Sequence, residues 1–159
     1  MADCRSLLTD QLAFLHKNVH VYLGRFPGED RLGWRPAPEF FTLFELGAHL
    51  CAAPAFTAAV LRGEADEEIF KWDVPIRQGT ADDLGRLLDE AMAACRDALA
   101  RFDADAFMMA EAPSPFGAAT PAKHLLDLVT HMHHHRGQLH NYLRALGTGV
   151  STDTLYAAE

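Results

Sequence analysis

The stretch PAKHLLDLVTHMHHHRGQLHNYLRALG, residues 121–147, decides the fold and frames the question of what the chain does. Its apolar residues recur every three or four positions, which predicts one helix of about 26 residues and about 39 Å. Thr120 precedes it as the N-cap, Pro121 occupies the first helical position, and Gly147 is the residue type that accepts a left-handed C′ conformation. A helix fixes the direction of each side chain, so the spacing of the five histidines between residues 131 and 140 carries information.

Three further helices are predicted from the same kind of spacing and capping. The first covers about residues 4–24, the second runs from the N-cap Thr42 to about Arg62, and the third runs from Thr80 to near Phe102. No segment has convincing strand alternation. The sequence therefore predicts an all-α protein, a four-helix bundle in a single domain spanning residues 1–159.

The three connections between these helices, about residues 25–41, 63–79 and 103–119, are all long. Tight antiparallel helical hairpins usually need fewer residues than these connections contain. We therefore expect at least one connection to cross the bundle and leave two neighbouring helices parallel.

Composition excludes several classes of function. Hydrophobic residues are 49% of the chain and charged residues 23%, and no apolar run approaches the about 18 residues of a membrane span, as in a soluble globular protein. The formal net charge of −8 argues against DNA or RNA as a partner, because nucleic-acid affinity comes largely from Lys and Arg. Residues 1–11 lack the features of a secretory signal, so we expect a cytoplasmic protein. The cysteines, at positions 4, 51 and 95, are too widely spaced for a zinc knuckle and are expected to be free thiols.

The histidine spacing predicts a metal site. His131 and His135 are four residues apart, so both imidazoles can reach one ion from the same helix face. His49 falls on the stripe of the second helix that also carries Leu46 and Leu50, and is therefore expected to point inward. Three neutral imidazoles would leave a divalent ion with an open position. The pattern alone equally allows core histidines satisfied by backbone carbonyls.

The other histidines are expected to be ordinary. His133 points almost opposite to the predicted ligands and is expected to be solvated, while His124 is too far along the helix to share their ion. His16 and His20 repeat the four-residue spacing and are at most a weaker, accidental site. His140 is assigned no role.

Neighbouring polar residues supply candidate partners for the ligands. Glu45 and Asp127 each lie one turn before a predicted ligand and are candidate carboxylate partners. Gln138, three residues after His135, is expected to reach the pocket and contact a bound cofactor or substrate. Arg136 lies off the ligand stripe and is expected to have a structural role, paired with an acid on another helix. No HExxH, glycine-rich phosphate loop or GxSxG motif is present, and no Glu-x-x-His pair of the di-iron type.

Two motifs resemble a known family. HMHHHRGQL, residues 131–139, resembles the H-x-x-x-H-R-G-Q signature of the DinB/YfiT-like metalloenzyme family, and ELGAHL, residues 45–50, resembles the histidine segment of its second helix. The longer stretches at residues 33–50 and 115–138 are similar to the family's usual approaches to these segments. The resemblance covers about residues 32–147.

The resemblance implies a four-helix bundle, often up-down-down-up, in which His49, His131 and His135 bind one divalent metal ion, commonly nickel or zinc. Some relatives of this family are thiol transferases that use bacillithiol, mycothiol or glutathione. A bundle of this type can also form a homodimer through an exposed helix face. We therefore expect a metal-dependent transferase that joins a low-molecular-weight thiol to an electrophile. The alternatives are a metal-dependent hydrolase and a non-catalytic protein that binds a metal or a small molecule.

Overall fold

The computed structural model of the chain describes residues 3–73, 76 and 78–157. Within these residues the secondary structure is helical, apart from one isolated antiparallel bridge between Ala112 and Ala119. The all-α prediction is confirmed. The α-helices are α1 (Cys4–Leu23), α2 (Leu43–Arg62), α3 (Asp66–Phe70), α4 (Ala81–Leu99), α5 (Ala104–Met109) and α6 (Pro121–Ala145). Short 3-10 helices cover Glu29–Arg31, Lys71–Asp73 and Thr152–Leu155.

The four long helices begin where the sequence predicts, because side chains satisfy their free N-terminal amides. In α2, Thr42 and Glu45 form the predicted capping box, with a hydrogen bond of 2.8 Å from the Thr42 amide to Glu45 Oε2. Helix α4 has a second capping box, made by Thr80 and Asp83. The hydroxyl of Thr120 caps α6 by accepting from the Lys123 amide.

The ends of two long helices show how their last turns close. Helix α4 ends at Leu99 rather than near Phe102, because the amides of Arg101 and Phe102 bond to carbonyls three residues back and tighten the chain into turns. Helix α6 ends at Ala145, and Gly147 then adopts a left-handed φ of 69° as predicted.

Helix α1 runs parallel to α6 and antiparallel to α4. The contacts with α6 advance together along both chains: Asn18 accepts a hydrogen bond from Arg136, and Tyr22 bonds to His140. The contacts with α4 run in opposite directions, because Arg5 donates to the Leu99 carbonyl near one end and His16 lies against Asp89 further along.

Helix α2 completes the bundle by packing between α4 and α6. It runs parallel to α4, since Gly47 lies against Leu84 and Arg62 donates to the Ala94 carbonyl. The order of directions is therefore up-down-down-up. The expectation of parallel neighbours joined by a crossing connection is confirmed, because the chain between α2 and α4 must return along the length of the bundle.

That returning connection contains α3, which the sequence analysis did not predict. Ile69 of α3 is buried with Ala59 and Val60 of α2, forming a small cluster beside the main core. The main core is built from the apolar faces of the four long helices. The cluster holds the connection against the end of α2 that lies away from the capping box.

Helix α2 is more apolar than the sequence analysis allowed. By length and composition it is a candidate membrane span, with a mean hydropathy of 1.4 over an 18-residue window. However, 83% of that window is buried inside the bundle. Its apolar character is accounted for by packing on α4 and α6.

Arg136 connects α6 to its neighbours as predicted, but the partners of its Nη1 are an amide oxygen and a backbone carbonyl in place of the expected acid. Its guanidinium donates 3.0 Å hydrogen bonds to Asn18 Oδ1 on α1 and to the Leu155 carbonyl. Asn18 in turn donates to the Thr154 carbonyl at 2.8 Å. These bonds attach the C-terminal segment to α1 and α6, next to the turn of α6 that carries His135.

Candidate metal centre

Three histidines from two helices meet in the interior of the bundle. His49 lies in the second turn of α2, and His131 and His135 lie one turn apart on α6. The ring centroid of His49 is 5.0 Å from that of His131 and 4.6 Å from that of His135. The centroids of the two α6 rings are 4.4 Å apart. We call these three residues the inner cluster.

The donor atoms of the inner cluster are arranged as one ion requires. One ring nitrogen from each histidine lies within 4.8 Å of the others. Nitrogens bound to a common zinc or nickel ion at about 2.1 Å can be at most about 4.2 Å apart, so side-chain adjustments of about 1 Å are sufficient. The antiparallel packing of α2 on α6 creates this geometry by placing the inward face of α2 opposite the ligand stripe of α6.

Burial keeps the two α6 imidazoles neutral. It lowers the pKa of His131 to about 4, with further lowering by the imidazoles of His135, His49 and His134. The pKa of His135 is also lowered, mainly by burial. Metal ligands must be neutral imidazoles, so at neutral pH a metal ion does not have to displace a proton from either ring. The chemistry of this donor set therefore fits a divalent metal ion.

Gln138 orients the His135 ring of the inner cluster. Its Oε1 lies 2.8 Å from Nδ1 of His135 and accepts the hydrogen of that nitrogen. This bond places the ring proton on Nδ1 and leaves the lone pair of Nε2 available for a metal. Direct contact between Gln138 and a bound cofactor or substrate stays a prediction.

The segment before α2 covers His49. Phe41 lies over the imidazole with ring centroids 5.6 Å apart, and its carbonyl accepts a 3.3 Å hydrogen bond from the Tyr142 hydroxyl. Trp34 packs edge-on against Tyr142, with centroids 5.5 Å apart. Contacts with α6 thus hold the covering segment in place.

A cavity of about 460 Å³ opens beside the inner cluster. His49 and His131 form part of its wall, and the remainder comes from α2, α6, the α2–α4 connection and the loop before α6. Apolar side chains dominate the wall, including Phe56, Val60 and Leu128. Its described carboxylate, Asp127, is paired with Lys123, so the two charges offset each other.

Phe56 and Phe116 form an aromatic part of the cavity wall. Phe116 stacks on Phe56, with centroids 6.1 Å apart, and meets Phe70 edge-on at the same distance. The bridge between Ala112 and Ala119 shapes the loop that carries Phe116. Nε2 of His124 lies 3.0 Å from the Ala112 carbonyl of this loop. This contact gives a structural role to His124, which is on the same face of α6 as His131 and His135 but too far from them to share an ion.

Comparison with known proteins assigns the chain to a family. A profile of the DinB superfamily matches residues 11–139, which include both helices of the inner cluster. The chain belongs to the DinB superfamily. A search of curated proteins found no significant match.

Two solved structures share the DinB fold. A candidate member of the DinB family from Exiguobacterium sibiricum 255-15 is 20% identical, with a TM-score of 0.75 over 97% of this chain and 99% of that one. A DinB-like protein from Bacillus subtilis is 22% identical, with a TM-score of 0.63 over 86% of this chain and 91% of that one. At these identities the likeness concerns the fold alone.

The two predicted carboxylate partners of the inner cluster take part in contacts on their own helices. Glu45 accepts from the Thr42 amide in the capping box, and Asp127 pairs with Lys123. A role for Glu45 beside His49 stays a prediction. Asp127 lines the cavity and forms an ion pair with a lysine of its own helix. His133, expected to be solvated, is half-buried, and burial lowers its pKa.

The sequence analysis did not identify the aromatic residues around the inner cluster. Phe56 was predictable, because it follows His49 by seven residues and so lies on the same helix face two turns later. Phe41 is adjacent to the Thr42 cap, but nothing in the sequence indicates that its ring covers His49. Phe116 comes from an irregular loop, where spacing carries no directional information.

Proposed function

We propose that this DinB-superfamily chain is a metal-dependent transferase that joins a low-molecular-weight thiol to an apolar electrophile. The observation that supports the proposal is the position of the inner cluster at the wall of a largely apolar cavity of about 460 Å³. Cavities of roughly 300–1,000 Å³ are typical of small-molecule sites. The thiol and the electrophile are the two proposed partners, and homodimerisation and a cytoplasmic location stay predictions.

The three histidines of the inner cluster would hold one divalent ion, with nickel and zinc both compatible with imidazole nitrogen. When bound, such an ion supplies a Lewis acid with an open position, which lowers the pKa of a thiol placed there. Gln138 fixes the ring orientation of His135, and the cover formed by Phe41 keeps bulk water from one face of His49.

The chain's own cysteines are poorly suited as nucleophiles. Cys51 and Cys95 are buried, and burial raises the pKa of Cys51 well above its ordinary range and that of Cys95 to about 12. Cys4 lies at the first residue of α1, and the described wall of the cavity contains no cysteine. A thiolate is the reactive form of a thiol, so the nucleophile is best supplied by a second substrate.

The cavity supports an apolar or aromatic electrophile. Its aromatic and aliphatic wall favours an apolar or aromatic group, and the Lys123–Asp127 pair leaves little net charge to attract an ionic one. In the transfer, the thiol sulfur forms a bond to the electrophilic carbon. The leaving group departs with the bonding electrons, and the thiol proton passes to solvent.

The proposal is tested by a matrix of nucleophiles and electrophiles. Untagged protein, prepared without a nickel column and reconstituted with zinc or nickel, is incubated with glutathione, bacillithiol or mycothiol. Aryl halides and anionic haloacids serve as apolar and polar electrophiles, and mass spectrometry detects thioether products. We expect metal-dependent conjugation that is greater for the apolar series.

Two control variants make the result specific. His131→Ala removes a predicted ligand, whereas His134→Ala removes an exposed histidine of the same helix. Activity should be lost in the first variant and retained in the second. Hydrolysis products in place of thioethers would favour the hydrolase alternative, and metal binding without any turnover would favour a binding protein. Either outcome would contradict the proposed transfer.

A further inference from the structure

A second group of metal-ligating side chains lies between α1 and α4. His16 and His20 are one turn apart on α1, and Asp89 faces them from α4. Nε2 of His16 is 2.6 Å from Asp89 Oδ1, and Nε2 of His20 is 2.9 Å from the same oxygen. We call these three residues the outer cluster.

The geometry of the outer cluster is convergent. Both imidazoles direct the same nitrogen, Nε2, at one carboxylate oxygen, although each ring has two nitrogens available. One ligand atom from each of the three residues lies within 4.8 Å of the others, as in the inner cluster. The centroids of the two rings are 5.4 Å apart, so each ring keeps its own approach to the common point.

Exposure distinguishes this group from an ordinary buried histidine–aspartate pair. The side chain of His16 is 23% exposed, that of His20 is 40% exposed and that of Asp89 is 58% exposed. Solvent therefore has access to the three ligand atoms. An ion would replace the two hydrogen bonds, with the exposed Asp89 carboxylate moving back so that the ion lies between it and the imidazoles. An ion there could complete its coordination with water and enter without any opening of the bundle.

We propose that His16, His20 and Asp89 form a second metal site, separate from the inner cluster, that binds a divalent transition-metal ion of the zinc type. Two imidazoles and one carboxylate are a common zinc ligand set. Imidazole nitrogen disfavours calcium and magnesium, which prefer oxygen ligands, and the absence of a thiolate disfavours copper(I). This site is independent of the proposed transferase activity.

The outer site would connect two antiparallel helices of the bundle. Its ligands come from α1 and α4, so an ion bound to all three joins these helices. The unfolded chain has no such preformed arrangement. An ion that binds only the folded state raises the melting temperature, and the rise grows with the free metal concentration. The expected role is therefore zinc-dependent stabilisation of the α1–α4 contact.

The test begins with untagged, metal-free protein titrated with Zn²⁺ against a chromophoric chelator. We expect about two ions per chain in the wild type, one for each site. Asp89→Asn should reduce the count to about one and weaken the remaining outer-site binding at least about tenfold. Glu90→Gln is the matched control, because it removes the same charge from the adjacent exposed position and should leave the count unchanged.

A second background separates the two sites. The double variant His49→Ala/His131→Ala removes two inner ligands, and we expect it to bind about one Zn²⁺ ion with a zinc-dependent rise in melting temperature. Adding Asp89→Asn or His20→Ala should abolish both effects. If the double variant binds no zinc, the outer site is overturned, even where the wild type binds two ions. Zinc binding by the double variant that neither added change reduces would also overturn it. An absence of binding to the wild type would overturn it as well.

Discussion

The inner and outer clusters begin from the same sequence feature and differ in what the fold adds to it. Each contains two histidines four residues apart on one helix and a third ligand from a neighbouring helix. The inner cluster receives a third imidazole and adjoins a cavity of about 460 Å³, whereas the outer cluster receives a carboxylate and faces solvent. The spacing thus indicates where an ion could bind. The neighbouring helix determines the ligand chemistry and access to a substrate.

The largest expected difference between the clusters concerns metal affinity. His131→Ala removes one of three inner ligands, and we expect Zn²⁺ affinity at that site to fall more than about 100-fold. The outer site should be unaffected, because its ligands lie on α1 and α4. Competition titration with a chromophoric chelator measures both affinities.

The control for this prediction is His134→Ala, because His134 is exposed and its ring centroid is 4.9 Å from that of His135. Its removal should change inner-site affinity less than about threefold. Equal losses in the two variants would show that general disturbance of α6, rather than loss of a ligand, weakens binding.

Acid should affect the stability of the clusters differently. The folded-state pKa of His131 is lowered to about 4 by burial and by the neighbouring imidazoles. As pH falls from about 6.5 towards 4, the unfolded chain takes up a proton that the folded chain excludes, so the free energy of unfolding decreases. Allowing for partial solvent exposure, we expect His131 to contribute a loss on the order of 2 kcal/mol, which His131→Asn removes while the losses from the other buried histidines remain.

Urea unfolding of metal-free protein across this pH range measures the effect. Asp89 of the outer cluster supplies the contrast, because hydrogen bonds from His20 and His16 lower the pKa of its carboxyl. Its contribution is complete above the unfolded value of about 3.9 and is lost only as pH falls through the lower folded value. Between about pH 6.5 and 4, the free energy of unfolding of Asp89→Asn should therefore fall by the same amount as that of the wild type. If the free energy of unfolding of His131→Asn falls as much as that of the wild type over this range, the prediction is wrong.

A smaller change in affinity is expected from the partner of a ligand. Gln138→Leu removes the acceptor for His135 Nδ1, and we expect inner-site affinity for Zn²⁺ to fall about tenfold. Gln138→Glu keeps an oxygen acceptor and should retain most of the affinity. Chelator competition again provides the measurement. If the leucine variant binds zinc as tightly as wild type, Gln138 does not orient the ligand.

The long helices and the convergence of the inner cluster were predictable because local signals fix the helix starts and the directions of the three histidines. Capping residues mark the start of each long helix, and the leucine stripe of α2 shows that His49 points inward. A helix of 25 residues then determines the relative directions of His131 and His135 without tertiary information. The remaining step, bringing α2 against α6, was supported by the long connections and the family resemblance.

The cavity and the outer cluster depend on tertiary contacts that leave no local signal. The short helices α3 and α5 contain 5 and 6 residues, too few for a convincing apolar period. Asp89 is an exposed residue of α4, and the sequence analysis assigned it no role. Only the antiparallel packing of α1 on α4 places it opposite His16 and His20.

The smallest expected effect tests how closely α1 and α4 approach at the outer cluster. Gly85 lies within α4, and a Cβ there would be 3.4 Å from His20 Cε1, an ordinary contact. Alanine is favoured over glycine in a helix by up to about 1 kcal/mol, so Gly85→Ala should raise the free energy of unfolding by about 0.5 kcal/mol. Gly47→Ala is the opposite case, because its Cβ would be 2.9 Å from Leu84 Cδ1 and should destabilise the core. Urea unfolding compares both variants. Destabilisation by Gly85→Ala together with weaker outer-site zinc binding would show that His20 needs the space beside this glycine.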